Sequence, residues 1–333
     1  MTSLAARHWA AIGESTFVTG IWALYALHRL LGRTVVRWAL VPVAFVYWLI
    51  DAGAREASRQ YLHRVSRAGG QLGRGGDVIH GVRHFHSFAE TILDKLLAAS
   101  GRYRGDLVSF DGKEILDAML SRNQGAILVI AHIGCLELCQ AVAGSDPRLR
   151  LTVLVHTRHA ERFNRILARL DPGSPVRLLQ VTELDAAMAA LLAQRVGQGE
   201  FVAIAGDRVP VQSARTVLVP FLGRDAALPI GAYVMASAVR CPLVWLGCTR
   251  QGAGHHVRFE MLAESVEIPR ARREAALRDY STRFARCMEA ALVARPYEWF
   301  NFFPFWDQPG KAPAIPLPAS EVESEQERRN HET

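Results

Sequence analysis

The chain has 333 residues, half of them apolar, with 39 Lys and Arg against 32 Asp and Glu. That apolar fraction excludes a disordered polymer and suffices for the core of one large or two ordinary domains. The net charge of +7 and a pI near 9.5 suit nucleic acid, anionic lipid or an acidic carrier protein as partner. The apolar N-terminus favours lipid over nucleic acid.

Residues 15–54 carry Phe17, Trp22, Trp38, Phe45, Trp48 and many aliphatics, interrupted by Arg29, Arg33 and Arg37 at near-helical spacing. Only thirteen uncharged residues separate Arg37 from Asp51, whereas a spanning helix needs about twenty. A monotopic hairpin over 1–54, seated in one leaflet with its arginines toward anionic headgroups and its tryptophans at the interface, fits this pattern. No small-residue cleavage site follows, so a cleaved signal peptide is not expected. A tilted spanning helix and buried helices of a soluble fold are the alternatives.

A basic amphipathic stretch, 55–67, and a glycine-rich break, 69–76, lead to a helix over 78–99. The break has no strand before it and no lysine-threonine pair after it, so it reads as a connection and not a phosphate loop. His84 and His86 on that helix read as packed or capping histidines. From Lys113 onward helices and strands alternate to Met261 without a linker. This predicts an α/β domain over 55–307, built on a mainly parallel central sheet flanked by helices. Strands are expected at 126–131, 151–155, 176–181, 201–205, 216–220, 243–248 and 257–261. Helices are expected at 113–121, 161–170, 182–196, 230–239 and 271–294.

Residues 299–306 hold six aromatics in eight, too many for a solvated loop. They either seal the core or touch lipid. The charged tail, 308–333, reads as disordered. Cys135, Cys139, Cys241, Cys248 and Cys287 lie in apolar surroundings without paired spacing and read as reduced core residues on the cytosolic side. No second Cys/His pair completes a zinc set around His132, Cys135 and Cys139, so neither metal nor cofactor is expected.

The chemistry centres on His132 and Glu137. An apolar run ends at Ala131, and His132 begins a strand-to-helix turn that would let Glu137, one turn into the helix, reach back to the imidazole. A carboxylate on one ring nitrogen fixes the tautomer and supports the imidazolium formed when the other takes a proton from a hydroxyl. The His-x4-Glu spacing recurs at His156/Glu161 and His255/Glu260. The last pair lies on a strand, where a spacing of five points the side chains to opposite faces, and charged neighbours mark the other as a surface helix start.

His132-x4-Glu137 after a buried strand, Asn164 in the next unit, Asp207 closing the strand from Phe201, and the Val219–Arg224 segment before a helix occur in an order that resembles the lysophospholipid acyltransferase superfamily. The likeness is to its lipid A late acyltransferase branch and spans roughly 5–307. The resemblance implies an O-acyltransferase of the cytoplasmic face of the bacterial inner membrane, moving a fatty acyl chain from acyl carrier protein or acyl-CoA to a lipid or glycolipid hydroxyl. It implies His132 as base and Glu137 as its orienter, with Asn164, Asp207 and Arg208 shaping the acceptor site. Arg208-Val-Pro replaces the acidic residue the family has after its aspartate. The family's preceding arginine matches Arg177 only approximately, with Arg165 behind it. Arg177 or backbone amides near Gly134 are expected to hold the developing oxyanion. The competing readings are an α/β hydrolase using Cys135 and a non-catalytic membrane scaffold.

Overall fold

The computed structural model describes residues 18–103, 105–138, 148–155, 166, 169–170, 176–180, 186–209 and 215–307. Its strands are β1 (Val108–Asp111), β2 (Ala126–Ile130), β3 (Leu151–Val155), β4 (Val176–Gln180), β5 (Phe201–Ala205), β6 (Thr216–Phe221), β7 (Arg224–Pro229), β8 (Leu243–Gln251) and β9 (Gly254–Ala263). Seven form one sheet in the order β1-β9-β8-β2-β5-β3-β4. The pairs from β8 through β2, β5 and β3 to β4 are all parallel, β9 runs antiparallel to β8, and β1 is parallel to β9. All five residues of β2 are buried, as an uninterrupted apolar run requires in a central strand covered on both faces.

The mainly parallel sheet and its flanking helices are those expected, with two differences. Residues 216–221 do not join the sheet but pair with β7 in a separate antiparallel hairpin. Its turn, Leu222–Gly223, has both φ values positive, the conformation that matches a two-residue hairpin to strand twist. Leucine there gives no turn signal in the sequence. The second difference is β1, too short and too polar in pattern to be read as a strand.

The helices are α1 (Val18–Ile50), α2 (Ala52–Arg67), α3 (Asp77–Ala99), α4 (Lys113–Ser121), α5 (Ala186–Gly197), α6 (Gly231–Val239) and α7 (Arg273–Ala294). The expected helix over 161–170, the first residues of the helix expected at 182–196, His156, Glu161 and the tail 308–333 lie wholly or largely outside the described residues. Where a hairpin was expected, α1 is two helical halves meeting at Gly32, whose φ of 76° and ψ of 177° interrupt the helical path. Val36, Leu40, Ala44 and Trp48, one helical turn apart, face inward. Gly81 of α3 makes room for Trp48, since a Cβ at that position would lie 2.4 Å from the indole nitrogen. The opposite face leaves Leu31, Val35, Trp38, Phe45, Val46 and Ile50 exposed. By length and composition α1 could cross a membrane.

Ion pairs fasten α1 to the rest of the chain. Arg33 Nη1 lies 2.7 Å from Asp94 Oδ1 and Arg37 Nε 3.3 Å from Glu90 Oε1. Asp94 also meets Arg250 of β8 at 2.7 Å. Glu90 and Asp94 are both buried, so these partners offset a large desolvation cost.

His84 is also buried. Its Nδ1 is 2.8 Å from Ser58 Oγ and its Nε2 2.7 Å from the Trp299 carbonyl, the packed role expected. Burial lowers its pKa to about 4, only partly opposed by the bond to that carbonyl. Between pH 6.5 and 4 the unfolded histidine takes a proton that the folded one refuses, so stability falls as pH drops through that window. The loss attributable to His84 reaches about 3 kcal/mol at pH 4. Thermal unfolding over a pH series checks this: His84→Gln, which keeps a donor for the Trp299 carbonyl, should flatten the slope. Equal slopes in the two proteins would refute it.

Candidate active site

Ile130 of β2 stands opposite Ala205 of β5 in parallel register. Two residues further along each chain are His132 and Asp207, so the register that aligns the strands also brings these side chains together. The ladder runs on past the strand ends: Gly206 N–H donates to the Ile130 carbonyl at 2.8 Å, and His132 N–H then donates to Asp207 Oδ2 at 2.9 Å. His132 Nδ1 lies 2.8 Å from Asp207 Oδ1. The carboxylate thus fixes both the backbone and the ring of His132. The ends of parallel strands are where open α/β sheets gather their ligands.

Asp207 is 1% exposed, whereas the His132 side chain is 39% exposed, so the ring forms the floor of an open site and the acid lies beneath it. Burial alone would raise the Asp207 carboxyl, but the facing imidazole, the hydrogen bonds from His132 and the Arg208 guanidinium hold it well below the usual carboxylate range. For His132, burial and then Arg208 lower the pKa and Asp207 offsets them only in part. The imidazole is therefore neutral near pH 7. With Nδ1–H donating to Asp207, Nε2 is the nitrogen able to accept a proton.

Glu137 does not occupy the orienting position the sequence suggested. It sits at the start of the helix after the turn, and its Oε1 lies 2.6 Å from Lys95 Nζ of α3. Its Oε2 accepts from the Cys135 thiol at 3.7 Å. The Nδ1 edge of His132 is taken instead by Asp207, at the end of β5. Burial is the largest influence on the Lys95 ammonium and would depress it, but the attraction and hydrogen bond of Glu137, together with Cys135, more than offset burial and raise it. Lys95 stays charged and adds to the positive field that lowers His132.

Arg208 donates to the Phe300 carbonyl at 3.3 Å and lies over the Phe303 ring, close enough for its charge to bear on His132 and Asp207. Arg177 is elsewhere. It pairs across the sheet with Thr152, Thr152 with Val202, and Val202 with Ile127. That puts Arg177 three strands to the side and five residues back from His132, roughly 20 Å away at ordinary strand spacing and rise. Its side chain is exposed on the edge strand. Asn164 and Arg165 lie outside the described residues.

The Gly134 amide is not available to an oxyanion, because it donates to the Glu298 carbonyl at 2.8 Å. Gly134 is obligatory on two counts: φ is +57°, and a Cβ would lie 1.8 Å from the Cys248 carbonyl oxygen. Sequence reasoning missed two residues of this site, Lys95 and Trp299. Lys95 follows Asp94 on an otherwise amphipathic helix, and a lysine beside its apolar face was the available signal. Trp299 was noticed only as one aromatic among six.

An acid-held imidazole at the end of a central parallel strand of an α/β sheet is an arrangement suited to general-base chemistry. The model of the bacterial lipid A biosynthesis acyltransferase family matches residues 90–308, from within α3 to just past the aromatic segment, and the chain belongs to that family. The family is membrane-associated and acts on acyl donors and lipid acceptors. No curated protein matches the chain.

Proposed function

We propose that the protein transfers a fatty acyl chain from acyl carrier protein or acyl-CoA directly to a hydroxyl of a membrane lipid or glycolipid. The observation that carries this is the His132–Asp207 pair, with Nδ1 engaged and the ring open to the site. Nε2 takes the proton of the acceptor hydroxyl, whose oxygen attacks the thioester carbonyl. The tetrahedral intermediate collapses with cleavage of the C–S bond, and the imidazolium returns its proton to the departing thiolate. Arg208 and Lys95, the two cations that bear on His132, supply positive charge for the developing oxyanion in place of Arg177 and Gly134. Glu137 holds Lys95 in that position.

The exposed apolar face of α1 favours a monotopic seat in the cytoplasmic leaflet. Its inner face is committed to α3, and Gly32 interrupts the helical path along the apolar segment.

The hydrolase reading needs Cys135 as nucleophile. That residue is fully buried, and burial, reinforced by Glu137, pushes its thiol far above the range in which a thiolate forms. The two activities separate in one assay. With a radiolabelled acyl thioester and total lipid extract, the detergent-purified protein should place label in an oxygen ester of a lipid, and Cys135→Ala should retain most of that activity. Release of free fatty acid alone, abolished by Cys135→Ala, would replace acyl transfer with hydrolysis.

A further inference from the structure

We infer that Trp299 is a positioning residue of the His132–Asp207 pair, acting through the indole N–H on the aspartate; its kinetic test rests on the acyl-transfer reading above. The indole Nε1 donates to Asp207 Oδ2 at 3.1 Å, and both side chains are 1% exposed. The carboxylate accepts three bonds: His132 Nδ1–H on Oδ1, with His132 N–H and the indole N–H on Oδ2. The indole is the only one of the three donors that comes from outside residue 132. It shares Oδ2 with the backbone N–H of residue 132, so the carboxylate is fixed from two separate segments of the chain while Oδ1 faces the ring.

The chain delivers this indole from 92 residues beyond the aspartate by using the C-terminal segment as an extra antiparallel stretch along the catalytic turn. Phe300 N–H donates to the His132 carbonyl at 3.1 Å, Gly134 N–H donates to the Glu298 carbonyl, and Ile133 bridges Trp299. On its far side Trp299 is held by His84 at its carbonyl and by an edge contact from Tyr61 at 5.1 Å. Packing alone would account for a buried aromatic ring here. It would not require the nitrogen to face a buried carboxylate, and that is what distinguishes tryptophan from phenylalanine at this position.

The test replaces Trp299 site-specifically with 3-benzothienylalanine, which keeps the bicyclic shape and has sulfur in place of N–H, and compares it with 5-fluorotryptophan, which keeps N–H. A hydrogen bond to a charged group corresponds to roughly a ten- to hundredfold effect. The benzothienyl protein should therefore lose that factor in kcat with KM unchanged, while the fluorotryptophan protein stays near wild type. With one donor gone, Asp207 draws a proton to His132 more strongly, so the acid limb of the kcat profile should move to higher pH. Unchanged kcat and an unmoved acid limb, or a change in KM alone, would overturn the inference. If even the wild type transfers no acyl group, the acyl-transfer reading has failed instead. The His132 titration followed by NMR of selectively labelled histidine still decides the inference: a raised pKa in the benzothienyl protein supports it and an unmoved one refutes it.

Discussion

His132→Ala should reduce acyl transfer by about 10²–10⁴-fold, the contribution of a positioned general base, with the thermal unfolding midpoint almost unchanged. The ring is partly open to solvent, so its removal opens no sealed cavity. Asp207 keeps two donors, the backbone N–H of residue 132 and the Trp299 indole, and its charge is not left unsatisfied. The measurement is turnover of purified variant and parent on one lipid extract, alongside a melting curve. A variant that melts normally and transfers at the parent rate would remove His132 from the chemistry.

Asp207→Asn should be at least as damaging, although it is the milder change in shape. Two N–H donors converge on the Oδ2 position, so the amide oxygen must take that place and the amide nitrogen must face His132 Nδ1. Two donors cannot share one bond, so the ring adopts the tautomer with its proton on Nε2, the nitrogen that must be bare to act as base. An orienting carboxylate exchanged for a wrong-tautomer amide typically costs about 10⁴ in kcat, and a loss of 10³–10⁴ is expected here at unchanged KM. Loss of activity together with a large fall in melting temperature would instead give Asp207 a mainly structural role.

How far the sequence exposed these features depended on whether the signal was local. The run from Ala126 to Ala131 and the alternation beyond it disclosed the parallel sheet, because buried parallel strands are continuous apolar segments. His132 could be located because it directly ends such a run. The partner was misassigned because Glu137 is near in sequence, whereas Asp207 is near only through the register of β2 and β5. One clue was available: His132 and Asp207 each stand two residues past the end of a buried five-residue strand, and neighbouring parallel strands that end level bring such positions together. The Trp299 contact had no such clue, since it depends on a path that leaves the sheet for the β6–β7 hairpin and returns through β8, β9 and α7. Arg177 was assigned by spacing along the chain, which carries no information about which edge of a sheet a strand will occupy.

The clasp between Arg33, Asp94 and Arg250 bears on how the protein can be handled. Cutting away α1 to obtain a more tractable enzyme would strip Asp94 of one of its two arginines and uncover the apolar groove on α3 where Val36 and Leu40 rest. Asp94 would keep Arg250, so the cost falls below the roughly 3–5 kcal/mol of leaving a buried charge unpaired, but it adds to the loss of the apolar contacts. A shortened protein would thus exchange one sticky surface for another and lose rigidity near the catalytic turn. Detergent or nanodisc preparations of the intact chain are the better starting material.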